Sequence, residues 1–315
     1  MCGIAGVMGA DGVMADAGVL RRLVDAVRHR GPDGEGAYTA RNVALGQTRL
    51  AIIDLETGNQ PLYEPGGAVL VANGEIYNYL ELRGQLEGEV FSTRSDCEPP
   101  LHLYRKYGLD FVEHLRGMFA IALYDPIEGQ LVLARDPFGI KPLYYAQTGK
   151  GFAFASEPQA LIESDMVVPQ VNDTALSELL QLQFTTGAET AFDQIMRVLP
   201  GETVVIRDGR VVARRRRSAL PADGVAEWSE AEALEHLDVA LRDSVEVHQR
   251  SDVPYGMFLS GGVDSSTVVA LMAKGASGPV TTCSIGFDVP DYIWVASAEA
   301  VVASEGRWIH PDPIG

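Results

Sequence analysis

A cysteine stands one residue from the start of this chain, at Cys2 directly behind Met1. Removal of Met1 would make Cys2 the first residue and would put a thiol and an amine on one amino acid. A terminal amine has a reference pKa of roughly 8, so part of it is neutral near pH 7 and can take the proton of the thiol. The pattern predicts a nucleophile that needs no separate base. The alternative is a small apolar cysteine on a first strand.

A second chemical pattern lies far along the chain, in Ser260-Gly261-Gly262-Val263-Asp264-Ser265-Ser266. It stands where a strand pattern gives way to a helix pattern, so its glycines let backbone amides approach an anion at a helix N-terminus. This predicts a phosphate cradle. It is not a Walker A loop, because that spacing and its lysine are absent. The alternative is a glycine-rich turn capped by serines.

The composition limits the partners of the chain. With 46% apolar residues in 315, the chain is long enough for about two domains with cores of their own. Its net charge of −18 disfavours nucleic acid and acidic membrane surfaces. The one basic run, Arg214 to Arg217, is interpreted as a solvated strand end.

Cysteine usage and hydropathy bear on the compartment. Cys2, Cys97 and Cys283 are too few and too widely spaced for a disulfide framework or a cysteine-rich zinc site. No apolar stretch approaches the roughly 20 residues of a membrane span, and the N-terminus lacks a signal-peptide pattern. The sequence therefore predicts a cytosolic protein with no membrane partner.

Short strand-like segments dominate the first two hundred residues and are separated by turn signals such as Asp11-Gly12 and Asp208-Gly209. Helical periodicity is rarer: an apolar stripe at Leu20, Leu23, Val24 and Val27 stops before Gly31-Pro32. Many antiparallel strands with few helices predict an α+β sandwich. The strand candidates are Val43 to Leu45, Ala68 to Ala72, Met118 to Tyr124, Leu131 to Ala134, Gly151 to Ala155 and Thr203 to Arg207.

A polar segment at 215–228 separates this region from one of different texture, so we predict domains at 1–214 and 229–315 joined by a linker. In the second region, Ser229 and Glu232 form a capping-box pattern ahead of a helical stripe. A buried strand candidate at Met257-Phe258-Leu259, the glycine-rich loop, a helix and another strand then follow. That order of elements predicts the start of a parallel α/β sheet, and we expect this second domain to be incomplete in the chain.

Several motifs at both ends of the chain resemble one family, the glutamine-hydrolysing asparagine synthetases, which join a class II glutamine amidotransferase domain to an ATP pyrophosphatase-type domain. The resemblance covers nearly the whole chain. It implies an Ntn-hydrolase-type first domain and a nucleotide-binding α/β second domain. The matching segments are Cys2-Gly3-Ile4, Arg30-Gly31-Pro32-Asp33, Arg49-Leu50-Ala51-Ile52-Ile53-Asp54, Asn73-Gly74-Glu75-Ile76-Tyr77-Asn78, Ser95-Asp96, Arg116-Gly117-Met118-Phe119, Arg135 to Tyr144, and Ser260 to Ser266.

For the first domain, the resemblance implies that Cys2 attacks the side-chain amide of glutamine. Asn73 and the backbone N–H of Gly74 would form an oxyanion hole, a task suited to fixed donors. The substrate-binding residues it implies are Arg49 for the α-carboxylate, Glu75 and Asp96 for the α-amino group, and Ile52 and Ile53 beside them. Taken singly, Arg49 could be a surface ion-pair member, Asp96 a helix N-cap, and Asn73-Gly74 a hairpin turn.

For the second domain, the resemblance implies ATP and Mg²⁺ as cofactors. Asp264 is the candidate ligand of Mg²⁺, which prefers carboxylate and phosphate oxygens. Leu259 and Ile285 would lie near the nucleotide and contribute through their backbones. The residues implied to hold the ATP phosphates are Ser260, Gly261, Gly262, Ser265 and Ser266.

The resemblance implies that ammonia from glutamine amidates an adenylated carboxylate, with aspartate giving asparagine, AMP and pyrophosphate. Two alternatives remain: another carboxylic acid as acceptor, or a non-catalytic binding remnant. A homodimer is left open. The sequence departs from the family at Pro99-Pro100, where the second proline restricts the residue before it and bears on the position of Asp96. It also departs after Asp291, and full members continue past Gly315. Arg135 to Tyr144 is interpreted as structural, lining a domain interface.

Overall fold

The computed structural model describes residues 1–221, 224, 227–276, 278–285 and 305–309. Two units are distinguished, Met1–Gly224 and Val225–Gly315. The predicted features at 291–304 and 310–315 lie outside the described residues. The first unit holds all of the predicted glutamine-site residues, and the second holds the glycine-rich loop.

Short and largely buried segments build two six-stranded antiparallel sheets in the first unit. The first sheet runs in the order β10 (Met196–Arg197), β8 (Tyr144–Thr148), β9 (Gly151–Ala155), β1 (Gly3–Gly9), β3 (Val43–Arg49) and β2 (Gly34–Ala40). The second runs in the order β12 (Arg210–Arg216), β11 (Glu202–Arg207), β7 (Gln130–Arg135), β6 (Gly117–Asp125), β5 (Val69–Ile76) and β4 (Leu62–Tyr63).

The two sheets pack face to face, because one core cluster takes Ile4 and Leu45 from the first and Val71 and Leu133 from the second. Helices cover the outer faces. Those packed on the first sheet are α1 (Ala17–Ala26) and α4 (Pro158–Glu163), and those on the second are α2 (Tyr79–Gln85) and α3 (Pro99–Tyr107). A further helix, α5, spans Asp173–Leu182. The predicted α+β sandwich is confirmed.

Helix α1 follows its sequence signals closely. Asp16 caps it by accepting hydrogen bonds from the N–H groups of Gly18 (2.7 Å) and Val19 (3.3 Å). Its predicted apolar stripe is buried, and it ends before Gly31-Pro32. The predicted helical stripe is confirmed.

Three local expectations differ from the structure. Asn73-Gly74 lies inside β5, opposite Ala120 and Phe119 of β6, so the hairpin-turn alternative is wrong. Helix α3 begins at Pro99 with both prolines in its first turn, because that turn needs no N–H donors from them. Strand β12 continues to Arg216, two residues into the segment predicted as linker.

The second unit contains α6 (Glu230–His248), β13 (Met257–Phe258), α7 (Val263–Gly275), β14 (Thr281–Ile285) and β15 (Glu305–Ile309). The capping box is confirmed: the Ser229 N–H donates to Glu232 at 2.8 Å, and the Glu232 N–H donates to the Ser229 hydroxyl at 3.4 Å. The three strands are parallel, as predicted. Phe258 was expected to be buried and is instead exposed, while Leu259 is buried.

Candidate active site

Cys2 lies immediately before β1, and its backbone is held on both sides. The next N–H, that of Gly3, donates to the Thr48 hydroxyl at 3.2 Å. Arg30 Nε donates to the Cys2 carbonyl at 3.0 Å, and Arg30 is itself paired with Glu157 at 2.6 Å. These contacts join β1 to β3 and to the segment after α1, so the N-terminal residues have a fixed place.

The Cys2 sulfur faces the main chain of Leu50, with the Leu50 N–H at 3.3 Å and the Leu50 carbonyl oxygen at 3.5 Å. Burial raises the pKa of the Cys2 thiol, and the Leu50 N–H donor acts in the opposite direction. Burial also lowers the pKa of the Met1 amine. A thiol in these surroundings needs a base close by to form a thiolate at neutral pH.

A cavity of about 60 Å³ opens beside this sulfur in the first unit. It brings together all eight residues of the first domain that the sequence singled out. They are Cys2, Arg49, Ile52, Ile53, Asn73, Gly74, Glu75 and Asp96. The wall also includes Met1, Gln47, Leu50, Gly58, Gln60, Ala72, Ser95, Cys97 and Lys141.

The outer edge of β5 supplies hydrogen-bond donors to this cavity. Strand β4 pairs only with Val69 and Leu70, so the following residues of β5 have an open edge. The Ala72 N–H donates to Gln60 Oε1 at 2.6 Å, and the Ile76 N–H donates to Asp96 Oδ2 at 2.8 Å. N–H groups of alternate strand residues point the same way. The N–H of Gly74, between these two, therefore points to the same open edge.

Asn73 adds a second donor. Its Nδ2 is buried and has no hydrogen-bond partner within the described part of the chain. A buried unpaired amide costs roughly 1–3 kcal/mol, so its retention in a cavity wall favours a ligand-binding role. At position 74 a Cβ would lie 2.5 Å from the Met118 carbonyl oxygen and 2.8 Å from Phe119 Cα, which explains why glycine stands there.

Arg49, at the end of β3, is buried rather than exposed. Its guanidinium donates to Asn59 Oδ1 at 2.7 Å and to the carbonyl oxygens of Ile53 and Asp54 at 3.2 and 2.5 Å. All of these acceptors are neutral, and among the described residues no ion pair includes Arg49. The surface ion-pair alternative is wrong. A positive charge held by neutral oxygens can bind a carboxylate.

Asp96 lies in the loop before α3, buried and bound to the Ile76 N–H, so the helix N-cap alternative is wrong. Burial, with Glu75 also contributing, raises the pKa of Asp96 to about 6. Glu98 fixes this loop by accepting hydrogen bonds from the N–H groups of Ser92 and Thr93 at 2.6 and 2.8 Å. The two carboxyl groups at 75 and 96 can meet a cationic amine that enters the cavity.

Gln47, Gln60 and Lys141 are among the cavity residues that were not singled out as site residues from the sequence. Gln60 and Gln47 bind the two backbone groups of Ala72; Gln47 Nε2 donates to its carbonyl at 3.1 Å. Gln47 shares a face of β3 with Arg49, which strand alternation could have indicated. Lys141 was interpreted as part of a structural segment at a domain interface, yet its side chain lines this cavity.

The glycine-rich loop joins β13 to α7 in the second unit. Gly261 has a φ of 81°, a conformation that favours glycine, and the N-cap Gly262 supplies no side-chain partner for the first amides of the helix. Ser260 and Ser265 face each other with their hydroxyl oxygens 3.1 Å apart. Amides, dipole and hydroxyls together can bind a phosphate group.

The other candidate nucleotide residues have different surroundings. The Leu259 N–H is already donated to Cys283 at 2.9 Å, and its carbonyl accepts from the Ser284 hydroxyl at 2.8 Å. Only one lone pair of the Leu259 carbonyl oxygen remains to accept a hydrogen bond from the adenine of ATP. The backbone contribution that the sequence predicted for Leu259 is therefore limited to this one acceptor. Ile285 ends β14, and Ser266 lies in the first turn of α7.

Asp264 is exposed in the first turn of α7. Within the residues that the structure describes, no three His, Cys, Asp or Glu side chains cluster as a metal site would require. One carboxylate still fits Mg²⁺ bound mainly by phosphate oxygens and water.

Among the residues that the structure describes, no helix has the length and apolarity needed to cross a bilayer.

Comparisons with known proteins agree with this two-unit arrangement. Residues 1–216 match the family model of the glutamine amidotransferase domain, and residues 236–307 match the asparagine synthase model. The chain is 38% identical to asparagine synthetase [glutamine-hydrolyzing] 1 of Bacillus subtilis, over 97% of this chain and 49% of that protein. It is 37% identical to a putative asparagine synthetase [glutamine-hydrolyzing] of Mycobacterium bovis, over 96% of this chain and 51% of that protein.

The chain thus spans about half the length of these curated relatives. Among solved structures, glutamine phosphoribosylpyrophosphate amidotransferase from B. subtilis resembles it with a TM-score of 0.53 and 18% identity, over 98% of this chain and 65% of that one. This likeness confirms the predicted fold, an Ntn-hydrolase-type amidotransferase fold followed by the start of a second domain.

Proposed function

Because the chain belongs to the glutamine amidotransferase family, in the branch whose amidotransferase domain precedes an asparagine synthase segment, we propose that its first unit hydrolyses glutamine to glutamate and ammonia at Cys2. The single observation that best supports this is the cavity that Cys2 shares with the unpartnered amide of Asn73, a guanidinium without a carboxylate partner and two carboxyl groups. Glutamine has an amide for the thiol and the Asn73 donor, an α-carboxylate for the guanidinium and an α-ammonium group for the carboxyl groups.

Substrate binding follows from the charges of a zwitterionic amino acid. The α-carboxylate binds the Arg49 fork, which is held by neutral oxygens and keeps its charge for this purpose. The α-ammonium group binds between Asp96 and Glu75. Its positive charge favours the ionised form of Asp96, whose pKa burial has raised to about 6. Ile52 and Ile53 line the wall next to Arg49.

The chemical step begins once Met1 has been removed. The neutral amine of Cys2 takes the proton of its own thiol, and the thiolate attacks the δ-carbon of glutamine. Negative charge develops on the amide oxygen, where Asn73 Nδ2 and the Gly74 N–H donate hydrogen bonds. The proton on the amine then passes to the leaving nitrogen, which departs as ammonia. Water hydrolyses the resulting thioester to glutamate and restores the thiol.

For the second unit we propose ATP-dependent activation of a carboxylate, with the ammonia from the first unit as nitrogen donor. The loop fits this role, since its positive-φ glycine and uncapped helix amides suit phosphate oxygens. Ser260, Gly261, Gly262, Ser265 and Ser266 would hold the phosphates, and Asp264 would hold Mg²⁺. Bound ATP with Mg²⁺ supplies an adenylating group and a pyrophosphate leaving group.

We propose aspartate as the acceptor, giving asparagine, and a cytosolic setting, in which three cysteines without disulfide bonds would stay reduced. The two relatives described above are both named as asparagine synthetases, which supports aspartate as the acceptor. The test is pyrophosphate release from ATP by the protein purified from its native source. Stimulation by aspartate supports the proposal, whereas stimulation by a different carboxylic acid alone would contradict it.

The glutaminase is tested on the 315-residue chain itself. Glutamate production from glutamine is measured for the wild type and for Cys2→Ala, with Cys97→Ala as the matched control for loss of another cavity thiol. We expect Cys2→Ala to lose activity entirely and Cys97→Ala to retain most of it. Equal activity of Cys2→Ala and the wild type would refute the proposed nucleophile.

A further inference from the structure

Lys141 is a buried lysine in the cavity wall that the proposed mechanism leaves unused. Lys141 is only 5% exposed, and its Nζ lies 3.7 Å from the Met1 sulfur, which is a weak hydrogen-bond acceptor. Among the described residues no carboxylate oxygen lies within 4 Å of this ammonium group. A buried ammonium without a carboxylate partner is costly, so a cavity wall is an unusual place for it unless the charge serves the site.

The backbone of Lys141 is fixed from two sides, which aims the side chain at the N-terminus. The fully buried Asp136 carboxylate accepts the Lys141 N–H at 3.0 Å and the Ile140 N–H at 2.9 Å. Arg135 Nε donates to the Lys141 carbonyl at 2.7 Å. The loop between β7 and β8 thus presents one cation to the cavity, and removal of Met1 would remove the sulfur that lies 3.7 Å from its Nζ.

The charges that face this group come from several elements. The Lys141 ammonium interacts with Glu75 of β5, Cys2 before β1, Arg30 after α1 and Asp136, while burial lowers its pKa. The Met1 amine, which lies one residue before the amine that Cys2 would carry, interacts with Cys2, Arg30, Lys141 and Asp33. Arg30 is already paired with Glu157 at 2.6 Å. Lys141 is therefore the cation near the terminal amine without such a pair.

We propose that Lys141 is a positioning residue of the glutaminase, whose fixed positive charge keeps the Cys2 amine in its neutral base form and favours the Cys2 thiolate. This inference rests on the proposed function of Cys2. The lysine exchanges no proton: the thiol proton moves to the amine and then to the departing nitrogen, as described above. The positive charge of Lys141 disfavours protonation of the nearby Cys2 amine, and it favours the negatively charged thiolate. Both effects promote transfer of the proton from the thiol.

The test compares Lys141→Met, which keeps an unbranched side chain one atom shorter and removes the charge, with Lys141→Arg, which keeps the charge. In Lys141→Met we expect the acidic side of the pH profile of kcat/KM for glutamine to shift to higher pH by about one unit. At neutral pH, kcat/KM should fall by roughly 10-fold. Lys141→Arg should keep the wild-type profile. The exposed Lys106→Met is the control for charge removal elsewhere, and thermal unfolding of each variant reports whether it folds.

A second measurement does not need glutamine turnover. The rate at which iodoacetamide alkylates Cys2, read from the mass of the N-terminal peptide across pH, reports the thiolate directly. We expect this profile to move to higher pH in Lys141→Met and to stay in place in Lys141→Arg. Superimposable alkylation profiles for a folded Lys141→Met and the wild type, or a change in KM alone, would overturn the inference. Absence of glutaminase activity with a shifted alkylation profile would refute the proposed function and would leave only the effect of the Lys141 charge on the Cys2 thiol.

Discussion

Replacing Asp96 by Asn should weaken glutamine binding and yet stabilise the fold. Asn keeps an oxygen to accept the Ile76 N–H, which now donates to Asp96 at 2.8 Å. It removes a carboxylate whose pKa burial raises from 3.8 to about 6. The folded state binds a proton at Asp96 more readily than the unfolded state does. Stability from this group is therefore lost as the pH rises from about 4 through 6.

The size of the effect follows from this shift of about two pKa units. At 1.36 kcal/mol per unit, ionised Asp96 costs the fold about 3 kcal/mol at pH 7. Asp96→Asn should raise the free energy of unfolding by up to that amount at pH 7. At pH 5 roughly half of the gain remains, because the folded wild type is then mostly protonated at Asp96. Loss of the charge paired with the substrate ammonium should raise KM for glutamine by ~10–100-fold.

The assay is urea unfolding of the wild type and Asp96→Asn at pH 7 and pH 5, beside steady-state glutaminase kinetics. The exposed Asp11→Asn serves as the control, since it removes the same charge far from the cavity. An Asp96→Asn variant that is less stable than the wild type at pH 7, or a stability gain equal at both pH values, would refute the reasoning about burial. An unchanged KM would refute the role of Asp96 in binding the substrate amine.

Three other substitutions test separate parts of the account. Asn73→Ala should lower kcat by ~100-fold or more with little change in KM, because it removes a donor to the developing oxyanion; equal kcat values in steady-state assays would contradict this. Arg49→Lys should raise KM by ~10–100-fold, since one ammonium cannot replace a fork held at 2.7 and 2.5 Å; binding measured by calorimetry checks it. Glu98, whose pKa its hydrogen-bond partners lower to about 2, stabilises the fold above pH 4.5 and loses that contribution as the pH falls toward 2. Glu98→Gln should therefore cost about 3 kcal/mol at pH 7, and a urea midpoint equal to wild type would contradict it.

The fold of the first unit could be predicted from the sequence because its signals are local. Short strand-like segments between turn signals predicted the strands, and the stripe through Leu20 and Val24 predicted α1 with its buried face. The capping box at Ser229 and Glu232 was also a local pattern. In contrast, Asn73-Gly74 is a strong turn signal that β6 overrides, since eight residues of β5 pair with that strand.

The parts of the site that the sequence did not predict depend on contacts between distant segments. Gln60 and Gln47 hold Ala72 from different parts of the chain, and no pattern within one segment encodes that contact. Lys141 reaches the cavity only because the turn that carries it lies beside the N-terminus in the fold.

The central claim is that Cys2 becomes the first residue and forms a thioester with glutamine. The most direct measurement is the mass of the N-terminal tryptic peptide, which ends at Arg21, after brief incubation with glutamine and an acid quench. The account predicts a peptide that begins at Cys2 and carries a glutamyl group on that residue. Active enzyme that retains Met1, or a glutamyl group on another residue, would contradict it.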